Sequence, residues 1–244
     1  MRRRARRGRR TGLLGMLLVA ALSSGCGSDG GGGSPGAMTP ARPRLTVSAA
    51  ASLEHAFTAY GKAIRGADVR FSFAGSDELA AQIRQGVRPD VFAAANTRLP
   101  DELHAKGLVG RPTVFAGNRL VLAVPARDPK VSSLRDIEKR GVTLAVGSSS
   151  VPVGSYTRTV LAKLPAGRRR AILANVRSQE PDVGGIVGKL TQGAVDAGFV
   201  YVSDVRASAG RLRAIELPAA LRPSVAYGAA VVTGARHPRQ ARAF

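Results

Sequence analysis

Two serines, Ser52 and Ser76, sit where the sequence changes from strand-like to helix-like character. They occur in the segments Ala49-Ala50-Ala51-Ser52-Leu53 and Phe73-Ala74-Gly75-Ser76. The start of a helix presents backbone N–H groups without intrahelical partners and the positive end of the helix dipole. Two such starts facing each other, each with a hydroxyl, make an uncharged cradle for a small oxyanion. The plainer use of each serine is as a helix N-cap, the commonest role of serine at such a place.

The elements that must hold these serines follow from the pattern around them. Leu45–Ser48, Val69–Phe73 and Val91–Ala94 read as strands. Leu53, Phe57, Tyr60 and Ile64 recur at helical spacing, as do Leu79 and Ile83. Leu99–Lys106 reads as a helix closed by Gly107. Strands follow at Leu120–Val124, ended by Pro125, and at Thr143–Val146; between them Ser133 is placed to cap a helix through Lys139, with Gly141 past its end. Tyr156, Val160, Leu161 and Leu164 share one helical face; Ile186–Leu190 is helical, and Gly198–Tyr201, Leu212–Leu217 and Ala226–Val232 are extended. Strand and helix alternate repeatedly, which predicts an α/β protein with parallel sheets.

The first 43 residues read differently. Residues 2–10 carry seven arginines and no acid, and Leu13–Leu22 is an apolar run ending at Ser23-Ser24-Gly25-Cys26. That is the layout of an export signal. The apolar run is shorter than the roughly 20 residues a membrane-spanning helix needs. Residues 1–25 are therefore expected to be a signal peptide, and 26–43, with Gly30–Gly33, a flexible tether. Cys26 is the only cysteine, which rules out an intramolecular disulfide.

Composition narrows the function classes. The formal net charge is +21; setting aside the seven arginines of residues 1–25 leaves +14. The basic residues are scattered, with Arg168-Arg169-Arg170 the one tight cluster, and Trp is absent. A stacking platform for single-stranded nucleic acid is therefore missing, and no nucleic-acid partner is expected. The charge reads as a solvated surface that also draws anions by its long-range field. Enzyme signals are weak. His55, His104 and His237 lack metal-ligand spacing, and no Gly-x-Ser-x-Gly elbow occurs. Gly184-Gly185-Ile186-Val187-Gly188-Lys189 fails as a phosphate loop, because Leu190 stands where Ser or Thr is needed; a tight helix start after Asp182 is the better use of these glycines. Neither an enzyme activity nor a cofactor is expected.

Taken in order, these segments resemble the molybdate-binding proteins of ABC importers, the ModA family. The resemblance runs from Leu45 to the end. Beyond the two serine segments it rests on Asp90–Ala95, Gly117–Val121, Leu144–Gly147, Val151-Pro152-Val153-Gly154 with Tyr156, Asp182-Val183 and Gly198–Asp204. It implies a two-lobed type II periplasmic binding protein fold with a hinge between the lobes. Lobe 1 would comprise residues 44–120 and 224–244, and lobe 2 residues 121–223. It implies molybdate or tungstate as ligand, held by Ser52 and Ser76 through hydroxyl and amide, by the backbone N–H of Val153 and Val183, and by the phenol of Tyr201. Molybdate carries no proton at neutral pH, so a site made only of donors suits it and disfavours protonated phosphate. Hydrogen bonds to a charged group contribute about 1.5–3 kcal/mol each, and several reach micromolar affinity, about −8 kcal/mol. Cys26 resembles a lipobox cysteine, implying a lipid anchor on the outer face of the cytoplasmic membrane, or a periplasmic or secreted protein if Cys26 is unmodified. The implied partner is an ABC permease, and the implied state a monomer.

The chain departs from the family pattern at three places. Asp77 follows Ser76 where a small hydroxyl residue is usual, and is expected to point sideways. Val153 stands where alanine is common. The sequence stops at Ala243-Phe244, where a closing helix is expected to continue, which would leave part of lobe 1's apolar face uncovered. Two alternatives stand beside molybdate transport: an interaction or sensor lipoprotein on the same fold, and a receptor for another oxyanion such as sulfate.

Overall fold

The computed structural model describes residues 42–244; the expected signal peptide, Cys26 and nearly all of the expected tether lie outside the described residues. The chain builds β1 (Arg44–Ala50), α1 (Glu54–Ala63), β2 (Asp68–Ala74), α2 (Ser76–Arg84), β3 (Val91–Ala94), α3 (Arg98–Ala105) and β4 (Thr113–Asn118). One residue, Arg119, leads into β5 (Leu120–Pro125). Then follow β6 (Leu144–Gly147), α4 (Pro152–Ala162), α5 (Ala166–Ala174), β7 (Val176–Glu180), α6 (Val183–Thr191), β8 (Ala197–Tyr201), α7 (Val202–Ala207) and β9 (Leu212–Glu216). The chain ends in β10 (Val225–Val231) and α8 (Pro238–Ala243).

These strands form two five-stranded sheets, in the orders β2-β1-β3-β10-β4 and β7-β6-β8-β5-β9. The first half returns to its own sheet through β10, so the chain crosses between halves twice. Neither sheet is parallel throughout, contrary to the sequence expectation. β1, β2 and β3 pair in parallel, but β10 is antiparallel to both neighbours. β6 is parallel to β7 and β8, whereas β5 is antiparallel to β8 and β9. The reversed strands are the two that follow a crossing. Parallel neighbours need a helix to carry the chain back, and a chain arriving from the other half has none.

The central strands are fully buried: β3, β6 and β8 have no exposed residue, and Phe92, Leu144 and Phe199 are completely covered. β4, α5, β7, α7 and α8 are not among the elements expected from the sequence. β7 reads Val-Arg-Ser-Gln-Glu at a sheet edge, and α5 buries only Ile172, so neither has an apolar period to find. The expected helix from Ser133 to Lys139 is a single 3-10 turn, Asp136–Glu138. Asp136 Oδ2 accepts from the N–H and hydroxyl of both Ser132 and Ser133, and these local bonds hold a turn in place of a longer helix. At the C-terminus, α8 places Phe244 against Phe57, Tyr60 and Phe71, with centroids 5.4, 5.3 and 6.2 Å apart. Phe244 thus covers part of the apolar face expected to be open, while Val114 and Phe115 remain exposed.

The two halves share a device that locks their central strands. Asp90, just before β3, accepts at Oδ2 from the N–H and Oγ1 of Thr46, both at 2.8 Å. Asp196, just before β8, accepts at Oδ2 from the N–H and Oγ1 of Thr143 at the same distance. Burial pushes both carboxyls up. Hydrogen bonds from Thr46 and His237 to Asp90, and from Lys130 and Thr143 to Asp196, outweigh it and hold both below the usual range. Groups with a lowered folded value stabilise the fold above their unfolded value, about 4, and that contribution is lost as pH falls through the folded value. Replacing both residues by asparagine should lower stability at neutral pH by about 1–3 kcal/mol per site and flatten the decline in Tm below about pH 4. Calorimetric melting across that range checks this; an unchanged acid limb would refute the assignment.

Candidate functional site

Every piece of the candidate site lies at the C-terminal end of a strand or in the turn and helix start that follow it. After β1 the chain makes a 3-10 turn, Ala51–Leu53, before α1; after β2 it turns through Gly75 into α2. The loops after β6 and β7 lead into α4 and α6, and β8 ends at Tyr201. These junctions enclose one cavity, lined by Ala50–Ser52, Ala74–Ser76, Ala95, Val151–Val153, Asp182, Val183 and Tyr201. All five residues picked out by the sequence, Ser52, Ser76, Val153, Val183 and Tyr201, lie on its wall.

The cavity holds about 20 Å³, little more than the roughly 10–15 Å³ occupied by one water-sized sphere. A compact guest fits such a space; a sugar or an amino acid does not. A wider groove of about 720 Å³, lined by α1, α6 and α7, shares Ala51, Ser52 and Val183 with the cavity.

The wall is rich in donors. Ser76 and Val183 are the first residues of α2 and α6, and Val153 the second of α4, so their amides lack intrahelical partners. Pro152 at the first position of α4 has no N–H to contribute, which leaves the Val153 amide as the leading one. Neither serine caps a helix: Leu53 and Gly75 occupy the cap positions of α1 and α2. The Ser76 hydroxyl instead accepts from Ala95 N–H at 3.1 Å, and the Ser52 hydroxyl lies 2.9 Å from the Tyr227 hydroxyl.

Tyr201 is 1% exposed, and its hydroxyl has no hydrogen-bond partner among the described residues. Burial, with Tyr227, Tyr156 and Asp204 nearby, pushes its phenol well above the usual value, so it stays a neutral donor. Such an orphan costs about 1–3 kcal/mol. No lysine or arginine lines the cavity. Asp182 is the one charged lining residue, and its Oδ1 accepts from Gly185 N–H as the cap of α6. Asp77, expected to point sideways, is not on the wall. Its Oδ1 is buried without a partner and lies 2.9 Å from the position a Cβ on Gly75 would take.

The halves meet closely at this place. A Cβ on Gly75 would lie 2.4 Å from the carbonyl oxygen of Pro181, in the other half. Behind the cavity, Phe115, Tyr227, Tyr201 and Tyr156 stand edge to face in a row, with centroids 6.3, 5.9 and 6.4 Å apart. Tyr227, Ala95, the contacts of Asn118 and the Gly75–Pro181 approach are not legible in the sequence. Nothing in the chain marks Ser52 and Tyr227 as partners 175 residues apart.

Asp204 on α7 accepts at Oδ2 from Tyr201 N–H at 2.8 Å and lines the wider groove. Burial pushes its carboxyl up to about 7, against the lowering effect of that bond. The folded state therefore keeps a proton that the unfolded state releases above about 4. Asp204's contribution to stability is full below that value and is lost as pH rises through about 7. Asp204→Asn, which keeps an acceptor for Tyr201 N–H, should remove the fall in Tm between about pH 4 and about pH 7. A variant with the wild-type slope would show that another group titrates there.

Residues 45–244 match the family described as bacterial extracellular solute-binding protein. The molybdate-binding protein ModA of Mycobacterium tuberculosis (strain ATCC 25618 / H37Rv) is 38% identical over 240 residues, covering 96% of this chain and 89% of that protein. ModA of Escherichia coli (strain K12) is 32% identical over 203 residues, 78% of each. Among solved structures, the periplasmic molybdate-binding protein of Azotobacter vinelandii superimposes with a TM-score of 0.71 at 21% identity, covering 82% of this chain and 90% of that one. The sulfate-binding protein SubI of Mycobacterium tuberculosis H37Rv gives 0.71 at 18% identity, covering 83% and 80%. At those identities the likeness establishes the fold, the two-lobed type II periplasmic binding architecture. With its sheets, its cavity and these relatives together, the chain belongs to the bacterial extracellular solute-binding proteins, in the group that contains the ModA proteins.

Proposed function

We propose that this protein captures molybdate, or its congener tungstate, outside the cytoplasmic membrane and hands it to the permease of an ABC importer. The observation that carries this reading is the buried Tyr201 hydroxyl, a donor without an acceptor on the wall of a small cavity. Its missing partner is an acceptor, and the surrounding groups ask for the same thing. Two serine hydroxyls and the first-turn amides of α2, α4 and α6 offer hydrogens, and no cation competes for the guest. A compact dianion without a proton satisfies such a set, and relatives 38% and 32% identical are named for molybdate. In this reading Ser52, Ser76, Val153, Val183 and Tyr201 are the ligand contacts. Export, a lipid anchor on Cys26 and the glycine-rich tether would hold the binding body beside its permease. No helix among the described residues is long and apolar enough to cross a membrane.

Titration calorimetry with molybdate, tungstate, sulfate and phosphate tests the reading. Single-site binding of molybdate or tungstate is expected; silence toward both, or a response to sulfate alone, would overturn it. Replacing Ser52 and Ser76 together with alanine should weaken molybdate binding at least about hundredfold, since two desolvated donors are lost. Undiminished affinity would place the pocket elsewhere.

Closure is tested separately at Gly75. A methyl group there meets the Pro181 carbonyl and props the halves apart. Gly75→Ala should weaken molybdate binding about tenfold or more while leaving Tm nearly unchanged. Wild-type affinity in this variant would show that the contact is not needed for binding.

A further inference from the structure

We propose that Asn118 and Tyr227 are positioning residues that turn the Ser52 hydroxyl into a donor toward the cavity, selecting a guest with no proton of its own. This inference rests on the oxyanion reading above and adds to it a device for specificity.

The direction of the hydrogens follows from one end of the chain. Asn118 Oδ1 accepts from Arg119 N–H at 2.9 Å, which fixes the amide with its NH₂ on the other side. That group has two hydrogens and two acceptors: Ser203 Oγ at 2.9 Å and the Tyr227 hydroxyl oxygen at 3.1 Å. Tyr227 is thereby an acceptor from Asn118. Its single hydrogen then points to its remaining partner, Ser52 Oγ at 2.9 Å. With Ser52 accepting from Tyr227, the serine's own hydrogen is free for the cavity it lines. Burial pushes the Tyr227 phenol above its usual value, so the hydrogen stays in place at any physiological pH.

Ser76 is set the same way by a simpler means, since its Oγ accepts from Ala95 N–H. Both hydroxyls then face the guest as donors. An oxyanion that carries a proton must find an acceptor; at the two serines its O–H opposes another O–H, and Asp182, the one carboxylate on the wall, is already engaged through Oδ1 with Gly185 N–H. The chain of bonds also spans the hinge. Asn118 ends β4 just before the crossing, Ser203 belongs to the second half on α7, and Tyr227 lies on β10 after the return. Ser52's orientation is thus tied to the relative placement of the halves.

The test is competition calorimetry on wild type, Tyr227→Phe and Asn118→Asp with molybdate, sulfate and monohydrogen phosphate. Sulfate serves as the proton-free control for size. In Tyr227→Phe, Ser52 loses its donor and becomes able to accept, so molybdate and sulfate should weaken about tenfold while monohydrogen phosphate does not. The molybdate-to-phosphate ratio narrows by the same factor. Asn118→Asp, whose carboxylate draws the Tyr227 hydrogen to itself, should move the ratio the same way and decides the matter if the phenylalanine variant does not fold. Molybdate affinity within about twofold of wild type, or an equal loss for all three anions, overturns the inference. Wild-type silence toward every anion would instead end the oxyanion reading, and this inference with it.

Discussion

On the proposed reading, the structure is organised by the need to meet an anion's charge with neutral donors and no cation. The cavity wall offers hydroxyls and helix-start amides and no lysine or arginine. Each such donor is weak when solvated and strong only where water is excluded and geometry is fixed. A single lobe cannot supply enough of them. Ser52 and Ser76 come from one half, and Val153, Val183 and Tyr201 from the other, so the set is complete only when the halves are together. The same low dielectric makes any such donor costly where it lacks a partner, as at the buried Tyr201 hydroxyl.

The close approach of the halves is accommodated by small residues and bridged by polar ones. Gly75 lets the backbone of one half approach the Pro181 carbonyl of the other, where any side chain would collide. Gly154 does the same within the second half, since a Cβ there would sit 1.8 Å from the Ser148 carbonyl oxygen. The row of Tyr156, Tyr201, Tyr227 and Phe115 backs the cavity with rings from both halves. Asn118 bonds to a residue on each side of the crossing. Crossing, aromatic row and cavity wall thus share residues, which ties the Ser52 hydroxyl to the placement of the two halves.

The halves reuse one construction. In each, parallel strands end in loops that start helices, and one antiparallel strand arrives from the other half. In each, an aspartate ahead of a central strand holds the N–H and hydroxyl of a threonine on a neighbouring segment. These carboxylates hold the strand ends in register, and the loops at the opposite ends are left to build the site. Stability and binding therefore occupy different ends of the same sheets.

The chain by itself determined most of the strands and helices, because buried strands such as Val91–Ala94 and Gly198–Tyr201 are continuous apolar runs and the main helices keep a 3.6-residue period. The ordered set of segments also singled out five of the residues that line one cavity, through resemblance to a family. Weakly patterned elements escaped: β7 is a polar edge strand, α5 has one buried residue, and the Ser132–Asp136 turn satisfies locally what a helix would have satisfied. Only the tertiary structure decided the direction of β5 and β10, the partnership of Ser52 with Tyr227, the orphaned hydroxyl of Tyr201 and the raised carboxyl of Asp204. Those depend on which groups meet across long sequence separations and on how much water is left between them. Local residue preferences encode neither, because hydrogen-bond partners and desolvation are set by packing.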